Sequence, residues 1–183
     1  FDEYAAGHLT EQGRFPAGTL QVTGSPRFDE LAAAVRAMTA ADVERVRATL
    51  GVQESDALVL VATKEKEARR VLEPFLARAA SVAGAVLVIK PHPAETSEQY
   101  AHFGRAYPHV RVTAPDAPLA SLLAAARVIV TVNSTVAIDA GGLDIPALVI
   151  GLPNNLSPFV SSGAFAGSTD PDEAVTLLDR LMH

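Results

Sequence analysis

The hydrophobic positions of this chain fall in short continuous runs that do not alternate with polar residues. Three runs rich in β-branched residues stand out, at Leu58–Val61, Val86–Ile89 and Val128–Val132. Continuous apolar strands of this kind are typical of a sheet that helices cover on both faces. Weaker runs predict further strands of the same sheet at Leu20–Thr23, Val110–Thr113 and Ala147–Ile150.

Between these runs, apolar residues recur at the spacing of amphipathic helices. Ser25 before Pro26 predicts the start of a helix, and Thr39 predicts a capped start for the next. Pro74 interrupts a helical stripe, so we expect a kink or break there. Asp170 predicts the cap of a final helix. The apolar stripes are Phe28, Leu31, Val35; Val43, Val46, Leu50; Ala68, Val71, Leu72, Phe75, Leu76; Tyr100, Phe103, Tyr107; Leu119, Leu122, Leu123, Ala126; Val136, Ala140, Leu143; and Leu177, Leu178, Leu181.

The alternation of strands and helices predicts an α/β fold with a doubly wound, Rossmann-like parallel sheet of about six strands. Ligands of such folds bind at the carboxyl ends of the strands, so chemistry is expected in the loops that follow them. Residues 1–19 are polar and contain glycine, and we expect them to be a connector from an N-terminal domain. Residues 20–183 are expected to form the α/β domain itself.

Composition excludes several classes of function. The net charge is −6 without a basic stripe, so nucleic acid is not expected as a partner. Cysteine is absent and the five histidines are scattered, so no metal site is expected. No apolar run reaches the about 18 residues that span a bilayer, and no signal peptide is seen. These features predict a cytoplasmic protein without a membrane span.

Two of the loops that follow predicted strands indicate ligand binding only weakly. Gly24 allows a tight turn and the close approach of a ligand, and Ser25 offers a hydroxyl. Turn and capping chemistry alone would also explain both residues. Lys64 follows a buried strand and could reach a phosphate, or it could lie on an exposed first helical turn.

The loop Lys90-Pro91-His92-Pro93 follows the strongest predicted strand. Two prolines fix the backbone on either side of His92, and Pro93 keeps His92 out of helical geometry. An imidazole held rigidly at the carboxyl end of a strand is well placed to contact a phosphate or a ribose. An ordinary surface histidine is the alternative.

Hydroxyl and amide side chains also follow the strand that ends near Val132. A phosphate could bind the first free N–H groups of the next helix together with Asn133, Ser134 and Thr135. Plain capping of that helix by Asn133 or Ser134 is the alternative. Asp139 lies four residues beyond Thr135 on nearly the same face, and it could bond a ribose hydroxyl or simply be solvated. The pattern GxGxxG, the P-loop pattern and GxSxG are all absent, which argues against classical dinucleotide binding, P-loop hydrolysis and α/β-hydrolase chemistry.

Together these segments resemble the C-terminal Rossmann-like lobe of GT-B glycosyltransferases. The resemblance rests on a strand leading into Gly24-Ser25-Pro26-Arg27-Phe28-Asp29, on the His-Pro loop, and on Asn133-Ser134-Thr135-Val136-Ala137-Ile138-Asp139. It is closest to transferases of bacterial surface polysaccharides, including CDP-glycerol glycerophosphotransferases and polysialyltransferase-like capsule enzymes. The UDP-N-acetylglucosamine 2-epimerases have a similar lobe. Asp144-Ile145-Pro146 replaces the Gly-Lys-Pro that is usual in such lobes, and the epimerases' Ser-Gly-Gly-x-x-Glu-Glu passage is not reproduced.

The resemblance implies a nucleotide-sugar or CDP-alcohol as donor, with neither cofactor nor metal required. His92, Ser134 and Thr135 would contact the nucleotide phosphates; Lys64 would be a further contact, placed there by position alone. The base that activates the acceptor would lie in an N-terminal lobe, so we expect this chain to bind nucleotide weakly and to be inactive alone. Two other hypotheses stay open, half of a sugar-nucleotide 2-epimerase and a non-catalytic α/β binding module.

Overall fold

The computed structural model describes residues 3–132, 134–151 and 158–183. All six strands of its sheet are parallel, in the order β3-β2-β1-β4-β5-β6. The strands are β1 (Ala57–Ala62), β2 (Ala85–Lys90), β3 (Val110–Val112), β4 (Val128–Thr131), β5 (Ala147–Ile150) and β6 (Ala166–Ser168). The helices are α1 (Glu3–Glu11), α2 (Pro26–Arg36), α3 (Ala40–Thr49), α4 (Glu65–Ala79), α5 (Ala101–Ala106), α6 (Leu119–Ala125), α7 (Val136–Gly141), α8 (Pro158–Ser161) and α9 (Pro171–Met182).

The predicted doubly wound parallel sheet is confirmed, and five of its strands lie where the apolar runs predicted them. The strand predicted at Leu20–Thr23 is wrong, because this segment is irregular and Val22 is 39% exposed. The sixth strand is β6, which pairs with β5. Its sequence, Ala-Gly-Ser, has no β-branched residue, so the apolar pattern gave no signal for it.

The central strand β1 contributes to both layers of the core. Leu58 and Leu60 belong to the cluster beneath α2, α3, α6 and α7, whereas Val59 and Val61 belong to the cluster beneath α4, α5 and α9. All four side chains are fully buried. Since successive residues of a strand point to opposite faces, only a continuous apolar run can satisfy both layers.

The helix starts follow the predicted caps. Ser25 Oγ accepts from the Phe28 N–H at 3.4 Å, Thr39 and Asp42 form a reciprocal capping box, and Asp170 accepts from two N–H groups at the start of α9. Of the kink or break predicted at Pro74, the break is wrong, because α4 continues through Pro74 to Ala79, and the kink stays a prediction. Three side chains around Pro74 are buried: Leu72, Phe75 and Leu76. Their packing on the sheet outweighs the one backbone hydrogen bond that is lost at the proline, so the helix continues.

The N-terminal segment contributes little to the core, since α1 has no buried residue. Tyr4 on α1 makes a ring contact with Phe159, with centroids 5.9 Å apart. The connector role of residues 1–19 and the domain boundary at residue 20 stay predictions. None of the helices in the described part of the chain combines the length and apolarity needed to cross a bilayer.

Asp144 has the left-handed backbone conformation, with φ of +59°, in the turn between α7 and β5. Glycine adopts this conformation without strain, which gives a physical reason for the glycine that is usual at this position in similar lobes. Aspartate tolerates the conformation better than most residues, so the turn keeps its shape with the substitution.

We expect Asp144→Val to lower the free energy of unfolding by about 1–2 kcal/mol, because a β-branched residue is strained at positive φ. Asp144→Gly is the matched control and should leave stability equal or higher, since it removes the same exposed carboxylate without strain. Chemical unfolding of both variants, followed by circular dichroism, measures the difference. Equal stabilities of the two variants would contradict the strain argument.

Candidate functional site

Three of the loops singled out in the sequence follow adjacent strands. The ends of β2, β1 and β4 lie in register, with Ala62 opposite both Lys90 and Thr131. Adjacent strands are about 4.8 Å apart, so the segments that begin with Thr63, Pro91 and Val132 leave the sheet side by side. We call this side of the sheet the carboxyl edge. It brings the Lys64, His92 and Ser134 loops together, and Asn133 lies outside the described residues.

The His-Pro loop is held in place by the carboxylate of Glu95. Its Oε2 accepts from the Thr63 hydroxyl at 2.7 Å and from the His92 backbone N–H at 2.9 Å, and its Oε1 accepts from the Tyr100 hydroxyl at 2.7 Å. We call these four residues the Glu95 clamp. Burial by itself would raise the pKa of Glu95, but the three hydrogen bonds that its carboxylate accepts outweigh burial and lower the pKa. The clamp joins the end of β1 to the loop after β2.

The orientation of the His92 ring follows from a bond inside the same loop. Its Nδ1 accepts from the Ala94 N–H at 3.1 Å, and the residue is exposed. Only an unprotonated ring nitrogen can accept, so this contact assigns the proton of the neutral ring to Nε2. Nε2 is therefore the donor that His92 offers to a ligand.

The two lysines near the carboxyl edge differ in their surroundings. Lys90 is half-buried, and its Nζ donates to the Pro115 carbonyl at 2.8 Å, tying β2 to the loop after β3. Burial lowers the pKa of Lys90, and the charge of Asp116 opposes this effect. Lys64 occupies the N-cap position of α4, makes no side-chain capping bond, and is exposed. Lys64 thus places an exposed positive charge on the loop that leaves β1, next in the sheet to the loop that carries His92.

Ser134 lies directly before Thr135, the N-cap residue of the short helix α7, and its hydroxyl accepts from the first N–H of that helix, which is close to the capping role that was one of the two alternatives. Its Oγ accepts from the Val136 N–H at 3.3 Å, and its own N–H donates to the buried Thr131 hydroxyl at 2.9 Å. Thr135 is exposed at the N-cap position of α7. Capping accounts for the Ser134 hydroxyl in this structure, and the predicted contact of Ser134 and Thr135 with a phosphate stays a prediction.

Asp139 is neither solvated nor exposed, which corrects one alternative for this residue. Its side chain is 5% exposed, and both of its oxygens accept from Arg27 Nη2, at 2.6 and 2.9 Å. In the next turn, a Cβ on Gly142 would lie 2.5 Å from the Phe28 ring. The start of α2 therefore contacts α7 and its C-terminal end through the side chains of Arg27 and Phe28, and a larger residue at position 142 would displace the Phe28 ring.

The other two predicted residues of this region lie at the start of α2. Gly24 has a φ of +75°, a backbone conformation that glycine adopts without strain, and a Cβ there would meet no atom within 4 Å. Ser25 caps α2. Sequence reasoning missed Arg27 as a partner of Asp139, although both residues belong to the segments that carried the family resemblance.

A groove of about 560 Å³ lies beside the carboxyl edge, between α3 and the segment that joins β3 to α6. Most of its lining is apolar, with threonine, serine and one Asp-Arg pair at Asp42 and Arg45. It has the size of a small-molecule site. No local sequence motif predicted the groove, because its two walls are distant in sequence. The remaining lining residues are Met38, Val46, Thr49, Leu50, Thr113, Ala114, Ala117, Pro118, Ser121 and Leu122.

Among the described residues, no three histidine or carboxylate side chains cluster as a metal site would require. The expectation that neither metal nor cofactor is needed is untested by this observation and stays a prediction.

Solved structures with this fold include the wall teichoic acid polymerase TagF, with a TM-score of 0.65, 14% identity, and coverage of 98% of this chain and 47% of TagF. A UDP-GlcNAc 2-epimerase from Neisseria meningitidis, bound to UDP-GlcNAc, matches with a TM-score of 0.68 and 16% identity. The match covers 98% of this chain and 50% of the epimerase. WaaG, a glycosyltransferase involved in lipopolysaccharide biosynthesis, matches with a TM-score of 0.59 and 12% identity. The match covers 81% of this chain and 44% of WaaG. The chain thus spans about half the length of the structures it matches.

These similarities define the class of fold, a Rossmann-like α/β lobe of the GT-B type. The model of the capsule polysaccharide biosynthesis protein family matches residues 32–155, which is more than half of the chain. This chain therefore belongs to the capsule polysaccharide biosynthesis protein family. A search of curated proteins found no significant match.

Proposed function

We propose that this chain is the donor-binding, C-terminal half of a GT-B-type glycosyltransferase or glycerophosphotransferase of surface polysaccharide biosynthesis. The observation that carries the proposal is the convergence of the His92 and Ser134 loops on one carboxyl edge, on either side of the loop after β1. Ligands of doubly wound sheets bind at this edge, near the point where the strand order reverses. That point is the boundary between β1 and β4; the Ser134 loop follows β4, and the His92 loop follows β2, the neighbour of β1 on the other side.

The groups at the edge suit the phosphates of a nucleotide. His92 offers an Nε2–H donor whose orientation is fixed by Ala94, and Lys64 offers a mobile positive charge. Thr135 adds an exposed hydroxyl at the start of α7. Such donors stabilise the negative charge of a departing nucleotide, with each contributing about 2–4 kcal/mol in well-ordered sites.

The apolar groove beside the edge supports the same proposal, because a nucleoside needs an apolar cleft with a few polar groups. Lys90 fixes the segment that forms one wall of the groove through its bond to the Pro115 carbonyl. We place the base and sugar of the nucleotide on the groove side and the phosphates at His92. The donor would then lie across the ends of β3, β2, β1 and β4.

In the proposed reaction the bond between the transferred group and the nucleotide phosphate breaks, and its electron pair goes to the phosphate oxygen. His92 and Lys64 would stabilise the charge that forms there. The acceptor hydroxyl oxygen would form the new bond to the transferred group and lose its proton to a base from an N-terminal lobe, which is the proposed partner of this chain. The donor class is a nucleotide-sugar or a CDP-alcohol, and the proposed location is the cytoplasm.

Calorimetric titration with CMP, CDP, UMP, UDP and GDP tests the proposal. We expect one nucleoside diphosphate to bind, and His92→Ala to weaken its binding about 10–100-fold, because a charge-assisted hydrogen bond is worth about 1.5–3 kcal/mol. His8→Ala is the matched control, since His8 is exposed on α1, and should bind as the parent chain does. Absence of binding for all five nucleotides, or equal binding by His92→Ala, would refute the proposal.

The similarity to a UDP-GlcNAc 2-epimerase supports a second candidate, half of an epimerase. Reconstitution with the N-terminal lobe separates the two candidates. Epimerised sugar nucleotide formed without an acceptor would favour the epimerase, whereas acceptor-dependent release of the nucleotide would favour the transferase. A non-catalytic binding module predicts neither product and no affinity for nucleotides.

A further inference from the structure

The ion pair between Arg27 and Asp139 is asymmetric in its exposure to solvent. The Asp139 side chain is 5% exposed and the Arg27 side chain is 56% exposed. Both contacts to the carboxylate come from one nitrogen, Nη2. A guanidinium has five N–H donors, so a carboxylate that binds only Nη2 leaves the Nε and Nη1 sides of Arg27 for another acceptor.

The position of this pair places it next to the carboxyl edge. Asp139 lies four residues after Thr135, which in a helix is about one turn, or about 5.4 Å, along the same face. Arg27 lies two residues after Ser25, which caps α2. The packing of Phe28 on Gly142 fixes the start of α2 on α7, so the backbone that carries Arg27 is held in place.

We propose that Arg27 is a binding residue of the carboxyl edge, anchored by Asp139, and that it takes an anionic group of the ligand such as a phosphate. This proposal rests on the proposed donor-binding function and adds a residue to it. The alternative from the sequence was that the Asp139 carboxylate accepts a hydrogen bond from a ribose hydroxyl. In this structure both Asp139 oxygens are buried and accept from Arg27, so the groups that face a ligand are the exposed N–H donors of the guanidinium, which suit an anion.

A structural ion pair that merely holds α2 against α7 is the competing explanation, and the variants are chosen to separate the two. Arg27→Gln removes the cation but leaves Asp139 buried without its partner, which can destabilise the chain. The double variant Arg27→Gln/Asp139→Asn removes both charges and keeps two amide side chains that can hydrogen bond. Arg36→Gln is the control, since Arg36 is an exposed arginine at the other end of α2.

Calorimetry with the nucleoside diphosphate that binds the parent chain, and separately with inorganic pyrophosphate, measures the effect. The proposal expects at least tenfold weaker binding of both probes by Arg27→Gln and by the double variant. The double variant should melt within a few degrees of the parent chain, and Arg36→Gln should bind normally. Arg27→Lys should recover part of the affinity, because it keeps the charge without the planar guanidinium.

Each outcome decides between the two proposals. Normal binding by the double variant, with weaker binding by His92→Ala, overturns the role of Arg27 and leaves the donor-binding function standing. Arg27-dependent binding of pyrophosphate, without binding of any nucleotide, supports Arg27 and overturns the donor-binding function. A parent chain that binds neither probe overturns both.

Discussion

Glu95→Ala is expected to lower the free energy of unfolding by about 2–4 kcal/mol. The carboxylate accepts from Thr63, from Tyr100 and from the His92 backbone, and both hydroxyl residues are buried. Truncation removes the charged acceptor that these three donors share, and a hydrogen bond to a charged group is worth about 1.5–3 kcal/mol. Urea unfolding followed by circular dichroism measures the loss. Glu73→Ala, on an exposed position of α4, is the control and should change stability by less than about 0.5 kcal/mol.

The same clamp predicts a dependence of stability on pH. Because the pKa of Glu95 is lower in the folded chain than in the unfolded chain, its charge stabilises the fold above the ordinary value of 4.5. This contribution is lost as the pH falls below about 5 and through the folded-state pKa. The stability difference between the parent chain and Glu95→Gln should therefore shrink on acidification. A difference that stays constant from neutral to acidic pH would show that the carboxylate charge is not what the clamp uses.

Leu60→Ala is expected to lower the free energy of unfolding by about 2–5 kcal/mol, which is a large fraction of the stability of an ordinary domain. Leu60 is fully buried in the middle of β1, beneath the layer that contains α3 and α6. Truncation removes apolar contacts and leaves a cavity that a sheet packed on both faces cannot close. Leu9→Ala removes the same atoms from a site that is 41% exposed on α1, and should be nearly neutral. Similar losses from the two variants, measured by thermal or chemical unfolding, would contradict the assignment of β1 to the centre of the core.

The sheet could be predicted because its signal is local in sequence. The runs that became β1, β2 and β4 are continuous and β-branched, and a strand buried on both faces has no other pattern available. The carboxyl edge followed from the topology, which brings the His92 and Ser134 loops to one side. The Leu20–Thr23 strand was wrong because a short apolar run alone cannot show whether a sheet edge is free to pair with it.

The contacts within the candidate site could not be predicted, because they depend on side chains from separate elements. Nothing in the local sequence around Glu95 predicted that its carboxylate holds the His-Pro loop. Its partners Thr63 and Tyr100 lie in other segments of the chain. Arg27 and Asp139 are 112 positions apart. Each residue is ordinary in its own segment, and only the packing of α2 on α7 explains the pair.

The packing of α2 and α3 on α6 has a consequence for the order in which the chain can fold during its synthesis. The two helices leave the ribosome before β1, yet the surface that receives them includes α6, which is made only after three strands of the sheet. Until then their apolar stripes have no complete binding surface, so a chaperone that recognises such stripes would bind the nascent chain within this interval. Release of the chaperone should coincide with the emergence of α6 and the strand that follows it.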